Sequence, residues 1–409
     1  MNYWYLSLLL CFTLCLSQTQ VQVHVSLGST PGLISFVWST RIATPTSVVR
    51  IATPTDWTYY SGSASSFVDG NNSWSISTVQ SQLSVGGSYT YQVGCNITGF
   101  SSSYQLQVPV DSTPSTFFMY GDLATEFDGK PSWSDIQAIA KSYGAQAIVQ
   151  AGDMAYNLCS NSSTWGDLFM QDLQPVASYI PYQVCAGNHE AVDSYVNYLA
   201  RFAMPGAKLY YTFTLGYVRF LAIHTEAFLT ETDLLPDMMS FIKSVLNRST
   251  EDRNKYPWMV VFGHRPMYCM SLDKAKTCGK EATTIKSYME AMMNQYGVDL
   301  YISGHEHNYQ RSAPVYQGNI VGPSVGNLFV NPTAPIYIVT GGAGNDGPND
   351  PVTMSGAPVW TIAVQQDLSF SMITTNSTHL VWKQLLSANN TISDAFTIIK
   401  TQNTILSTS

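Results

Sequence analysis

"LYISGHEH", residues 300–307, sets a short, mostly apolar run against a glycine and then two histidines one residue apart. The same grammar recurs along the chain. An apolar run and a glycine precede Asp122 in "FFMYGD" (117–122), Asp153 in "AIVQAGD" (147–153), Asn188 and His189 in "YQVCAGNHE" (182–190), and His264 in "WMVVFGH" (258–264). Each run reads as a buried strand, and the glycine lets the backbone turn sharply and carry the next side chain to the rim. Chance could place one carboxylate or imidazole there. Five such cases holding only Asp, Asn and His point to a metal centre, because buried groups of this kind need partners.

Between these runs the pattern turns helical. Ser132 and Asp135 form a capping box ahead of Ile136, Ile139, Ala140 and Tyr143. A second helix is predicted through Ile285, Met289, Met292 and Tyr296, whose apolar stripe reads as a core face. Strand–helix alternation gives a layered α/β domain, with ligands beyond the carboxyl ends of its strands. After Gly342 the runs "LSFSMITT", "HLVWKQLL" and "AFTIIK" add further strands to it.

Upstream, from Val21 to Val110, short alternating runs such as "LISFVWST" and "SYTYQVG" are broken by Ser, Gly, Pro and Thr. They predict a β-sandwich of immunoglobulin or fibronectin type. "DSTPST" marks its end. The expected organisation is therefore a signal peptide over 1–17, a sandwich over 18–112 and a catalytic domain over 113–409.

The net charge is −8, with no basic cluster, so nucleic acid and anionic membranes are poor partners. The apolar stretch from Tyr3 to Leu16 is too short to span a bilayer and reads as a cleaved secretory signal; no later run suits a membrane helix. Sequons at Asn71, Asn96, Asn161, Asn247, Asn376 and Asn389 agree with N-glycosylation on that route. Cys11 and Cys15 leave with the signal, and five cysteines remain. Cys269 and Cys278 bracket a polar loop and are the best candidates for a disulfide, while Cys185 in its apolar strand reads as a buried thiol.

The ordered motifs resemble those of the metallophosphoesterase superfamily, and within it the purple acid phosphatases of animal type. The family pattern G-D-x-G, G-D-x-x-Y, G-N-H-[ED], V-x-x-H and G-H-x-H reads here "GDLA" (121–124), "GDMAY" (152–156), "GNHE" (187–190), "VFGH" (261–264) and "GHEH" (304–307). "HRPMYC" and "APIYIVTGGAG" strengthen the resemblance, which covers essentially the whole mature chain.

The resemblance implies a four-layer α/β/β/α catalytic domain behind the sandwich. It implies that Asp122, Tyr156 and His307 hold a first metal, that Asp153 bridges, and that Asn188, His264 and His305 hold a second. Carboxylate and phenolate suit Fe(III); imidazoles and an amide suit divalent Zn, Mn or Fe. His305 and His307 then serve different ions. The implied reaction is hydrolysis of phosphate monoesters at acidic pH by a metal-bound hydroxide, with His189 on the substrate phosphate. Tyr156 separates this reading from a phosphodiesterase or nucleotide pyrophosphatase on the same scaffold, whose first motif is D-x-H. Ala124 stands where the family has Gly, and Asp273 and Lys274 stand where many members carry leaving-group histidines. That second departure keeps a catalytically idle metal-binding glycoprotein as a competing reading. The destination is the cell exterior, a lysosome or a vacuole.

Overall fold

The computed structural model describes residues 19–125, 129–272, 277–322 and 324–401. The expected leader and the Asp273–Lys274 pair lie outside the described residues.

Eight strands between Val21 and Gln107 form the first unit, all paired antiparallel. One long strand, Trp57–Asp69, belongs to both of its halves. Its first part pairs with Ser47–Ala52 and its second part with Asn72–Gln82. The halves therefore fold over each other, and Phe36 meets Tyr91 edge-on at 4.9 Å.

Two more eight-stranded sheets follow, and they pack face to face, with Phe117 of one against Phe220 of the other. In the first, Ser115–Tyr120 lies between Ala147–Ala151, which is parallel to it, and Ser369–Thr375, which is antiparallel. In the second, Val218–Ala222, Trp258–Phe262, Leu300–Ser303 and Ile336–Thr340 run parallel. Strands buried on both faces need apolar residues at successive positions. Trp258–Phe262 shows this: Trp258, Val260 and Phe262 join the inter-sheet core, while Met259 and Val261 join the core beneath the helices. That outer core is closed by Met238, Ile242 and Leu246 of the helix Leu235–Leu246 and by Ile285, Met289 and Met293 of Ala282–Gln295. On the far side, the helices Gly129–Ser142 and Ser160–Ala177 cover the other sheet. The result is the four-layer order helix, sheet, sheet, helix. The three late runs add strands to the first of these sheets as expected, and Thr361–Gln365, not singled out in the sequence, joins the second.

The capping box is corrected. The helix already spans Gly129–Ser142, so Ser132 lies inside it, and its hydroxyl bonds Ser387 instead of a backbone N–H. A tertiary partner has taken the oxygen that local sequence assigned to a cap.

The β-rich unit is fastened by one buried carboxylate. Asp167 accepts from Gln22 (3.3 Å), Asn72 (2.9 Å), Trp74 (2.9 Å) and the fully buried Arg201 (2.9 Å). The Cys269–Cys278 disulfide is present, and Cys185 is a buried free thiol. All six sequon asparagines are exposed. No described helix is long and apolar enough to cross a membrane.

Candidate metal centre

The carboxyl ends of the strands in both sheets meet at one place, pinned where the Gly121 N–H donates to the Thr340 carbonyl at 2.8 Å. The turns there are tight. A side chain on Gly304 would collide with the Asp122 carboxylate, and one on Gly187 with Asp153. Asp122, Asp153, Tyr156 and His305 all hold positive φ, between 47° and 71°. For residues other than glycine this costs on the order of 1 kcal/mol each. Strain concentrated on four polar residues at one locus is a mark of a functional site.

The eight residues singled out in the sequence come together there, in two groups. In one, the Tyr156 hydroxyl lies 3.3 Å from Asp122 Oδ1 and 3.0 Å from His307 Nε2, with 3.6 Å between the last two. In the other, His264 Nε2 lies 3.0 Å from Asn188 Oδ1, 3.1 Å from His305 Nδ1 and 3.1 Å from Asp153 Oδ2. Donor atoms of Asp153, His264 and His305 all fall within 4.8 Å of one another. His305 and His307 thus point into different groups. His189 stands beside them, its Nε2 3.8 Å from Asp153 Oδ2 and its ring 4.6 Å from that of Tyr156.

The spacing suits metal ions. Ligands at about 2.0–2.2 Å from an ion, in tetrahedral or octahedral arrangement, lie about 2.9–3.6 Å apart. The two groups span 3.0–3.6 Å. Their chemistry differs as well: two oxygens and one imidazole in the first, two imidazoles, an amide and a carboxylate in the second.

The protein's own charges act strongly on these groups. Burial would lower the His264 pKa, but the Asp153 carboxylate beside it raises it to about 9. Asp153 is held well below the usual carboxylate range; burial opposes this, and the charge of His264 prevails. Burial, then the Asp122 carboxylate, pushes the Tyr156 phenol well above its ordinary value.

Three further residues were not assigned roles from sequence. Glu190, fully enclosed, accepts the backbone N–H groups of Asp153, Met154 and Gly187 at 2.8–3.0 Å, so it holds two motif turns in register. Asn157 Oδ1 lies 2.7 Å from His189 Nδ1. Arg265, clamped by Glu226 and Glu281, reaches His305 Nε2 at 2.9 Å. Each adjoins a motif, in "GNHE", "GDMAYN" and "HRP", and that adjacency was the available signal. His24 and His224 stay apart from the centre; His224 pairs with Glu231 at 2.7 Å.

Residues 116–309 match the family model for calcineurin-like phosphoesterases, and 334–395 match that for iron/zinc purple acid phosphatase-like protein C. The chain is similar to acid phosphatase type 7 of Danio rerio, 31% identical over 340 residues, covering 76% of this chain and 74% of that protein. With acid phosphatase type 7 of Mus musculus the identity is 28% over 388 residues, covering 90% and 87%. A relative from Arabidopsis thaliana, 27% identical across 78% of this chain and 56% of its own length, is named "Probable inactive purple acid phosphatase 1". In fold, the chain resembles a purple acid phosphatase from yellow lupin seeds, with TM-score 0.83, 22% identity, and coverage of 95% and 76%. On its motifs, its architecture and these relatives, the chain belongs to the purple acid phosphatase family of calcineurin-like phosphoesterases.

Proposed function

We propose that this protein is a secreted acid phosphatase that hydrolyses phosphate monoesters at a dinuclear metal centre. The observation that carries the reading is the pair of donor groups at ligand–ligand spacing. Asp122, Tyr156 and His307 would hold one ion, Asn188, His264 and His305 the other, and Asp153 would serve both. A carboxylate and a phenol are hard oxygen donors, which favours Fe(III) there, whereas the imidazole-rich group suits a divalent Zn, Mn or Fe. When bound, such a pair neutralises phosphoryl charge and activates water at low pH.

The chain's own residues set the rest. Asn157 Oδ1 can only accept, so His189 carries a proton on Nδ1 and presents Nε2 to the substrate. With a second proton on Nε2, the imidazolium would hydrogen-bond a phosphate oxygen and could hand that proton to the leaving oxygen. Glu190 keeps Asp153 and Gly187 fixed while charge develops. The domain boundary at 112/113, cleavage after Ser17 and glycans on the six exposed asparagines complete the proposal.

Metal analysis with a visible spectrum tests the ligands: iron and a phenolate charge-transfer band are expected, and a colourless, iron-free, active enzyme would contradict the role of Tyr156. Rates on an aryl phosphate monoester and its diester test the reaction, since equal or faster diester cleavage favours the phosphodiesterase reading. The relative named as inactive adds to the support that Asp273 and Lys274 give the idle reading, and a metal-replete protein that turns over neither ester would establish it.

A further inference from the structure

At the opposite end of the second sheet lies a cavity of about 80 Å³. Pro257, Asp299 and Thr333 line it, just before the strands Trp258–Phe262, Leu300–Ser303 and Ile336–Thr340 begin. His264 and His305 follow the other ends of two of these strands, so the length of the strands, about 15 Å, separates the cavity from the metal centre.

Three cations line the cavity, Arg248, Arg253 and Lys400, against one carboxylate, Asp299. This is a local reversal of charge in a chain with net charge −8. The carboxylate is already satisfied: Asp299 Oδ2 accepts from Met259 N at 2.8 Å and from Lys400 Nζ at 2.8 Å. Arg253 spends one N–H on the Tyr296 carbonyl, and Arg248 one on the Tyr256 carbonyl. Asp252, ion-paired with Arg248 at 3.7 Å, is held more closely by the Nε and Nη2 of Arg219. Arg248 Nε is left buried with no hydrogen-bond partner, on a side chain only 4% exposed. Native proteins rarely leave a charged donor in that state, and each instance calls for an absent partner. Burial and then the neighbouring Arg253 charge lower the Arg248 pKa to about 10, against the opposing pull of Asp252 and Asp299.

We propose that this cavity is a second anion site, distinct from the metal centre, which takes one free tetrahedral oxyanion of the inorganic phosphate class. Its size admits several waters or one such ion and little more. No described residue lining it is aromatic, so a nucleotide base would have nothing to stack on. The bound anion draws together the helix that carries Arg253 and the turn that carries Arg248, while Lys400, its ammonium already bonded to Asp299 and the Pro257 carbonyl, adds only its charge, all without touching the reacting centre.

The test uses metal-replete protein crystallised without phosphate or sulfate and soaked in sodium tungstate. Two anomalous peaks are expected, one at the metal centre and one within hydrogen-bond reach of Arg248 Nε. Arg248→Met should lose the second peak, keep the first, and leave kcat within about twofold. Should that variant not fold, Arg253→Gln, at a partly exposed position, should weaken inorganic phosphate at this site at least about fivefold by calorimetry. Phenylphosphonate, which resists hydrolysis, should reach only the metal centre. A wild-type crystal with no peak in the cavity, a peak that survives Arg248→Met, or phosphate affinity unmoved by Arg253→Gln overturns the anion site. Absence of the first peak counts against the phosphatase reading instead, so the two fail separately.

Discussion

The strands Trp258–Phe262 and Leu300–Ser303 present opposite chemistry at their two ends. Beyond their carboxyl ends, carboxylate, amide and imidazole groups converge at about 3 Å; before their amino ends, two guanidiniums and an ammonium surround a small cavity. The means differ too. At the first end short side chains sit directly on strained turns, so the backbone itself sets the geometry. At the second, long side chains reach in from near two helix ends and from just past the strand Ile392–Ile399. Rigid placement suits ions that demand defined ligand angles, whereas flexible reach suits an anion that tolerates several donors.

The contrast breaks most plainly at the metal end. Asp153→Ala should lower kcat roughly a thousandfold, about 4 kcal/mol, and reduce the bound metal measured by mass spectrometry. Chelation should do the same without disturbing tungstate in the far cavity. Retained metal and activity in Asp153→Ala would remove the bridge from the proposal.

A second test asks whether the metal-end histidines alone answer to acid. His24, fully buried where the β-rich unit meets its neighbour, has its pKa lowered from 6.5 to about 4, chiefly by burial. The unfolded chain binds a proton that the native state refuses. Stability is therefore complete above about pH 6.5, falls as pH drops toward 4, and loses roughly 3 kcal/mol in all. Denaturant midpoints at pH 7 and 4.5 should show this, and His24→Gln should flatten the dependence. An unchanged slope would place the acid sensitivity elsewhere.

Glu190→Gln sharpens the picture at smaller scale. It keeps the shape but weakens the three backbone bonds that hold Asp153 and Gly187, so kcat should fall about 10- to 100-fold with metal still bound. Loss of metal in step with activity would make Glu190 a determinant of metal retention. Smallest of all, Arg253→Gln should leave kcat within about twofold while altering phosphate binding at the far end.

The two ends also differ in how far sequence revealed them. Asp122, Asp153, Asn188, His264 and His305 could be picked out because a strand, a glycine and a polar residue are contiguous in the chain. Glu190 was visible within "GNHE", but its task depends on how two distant turns approach it. Nothing local marks Arg248, Arg253 or Lys400, which lie in ordinary polar stretches and meet only after the sheet forms. The capping box failed for a similar reason, since Ser387 reaches Ser132 from 255 residues away. A layered α/β domain was legible from alternating runs, and its four layers only through the family resemblance, whereas the sharing of Trp57–Asp69 between two halves was not legible, because pairing partners leave no trace in one strand's composition.

The position of Ser115–Tyr120, flanked by Ala147–Ala151 and Ser369–Thr375, bears on how the protein is born. The strand that delivers Asp122 waits for a neighbour made some 250 residues later, so the loop to be closed is long and its closure slow. During synthesis the early unit can settle while the ribosome still holds the tail, but the catalytic cradle cannot set until nearly everything has emerged. A nascent chain halted before Ser369 should therefore leave this strand's flank bare and open to chaperones.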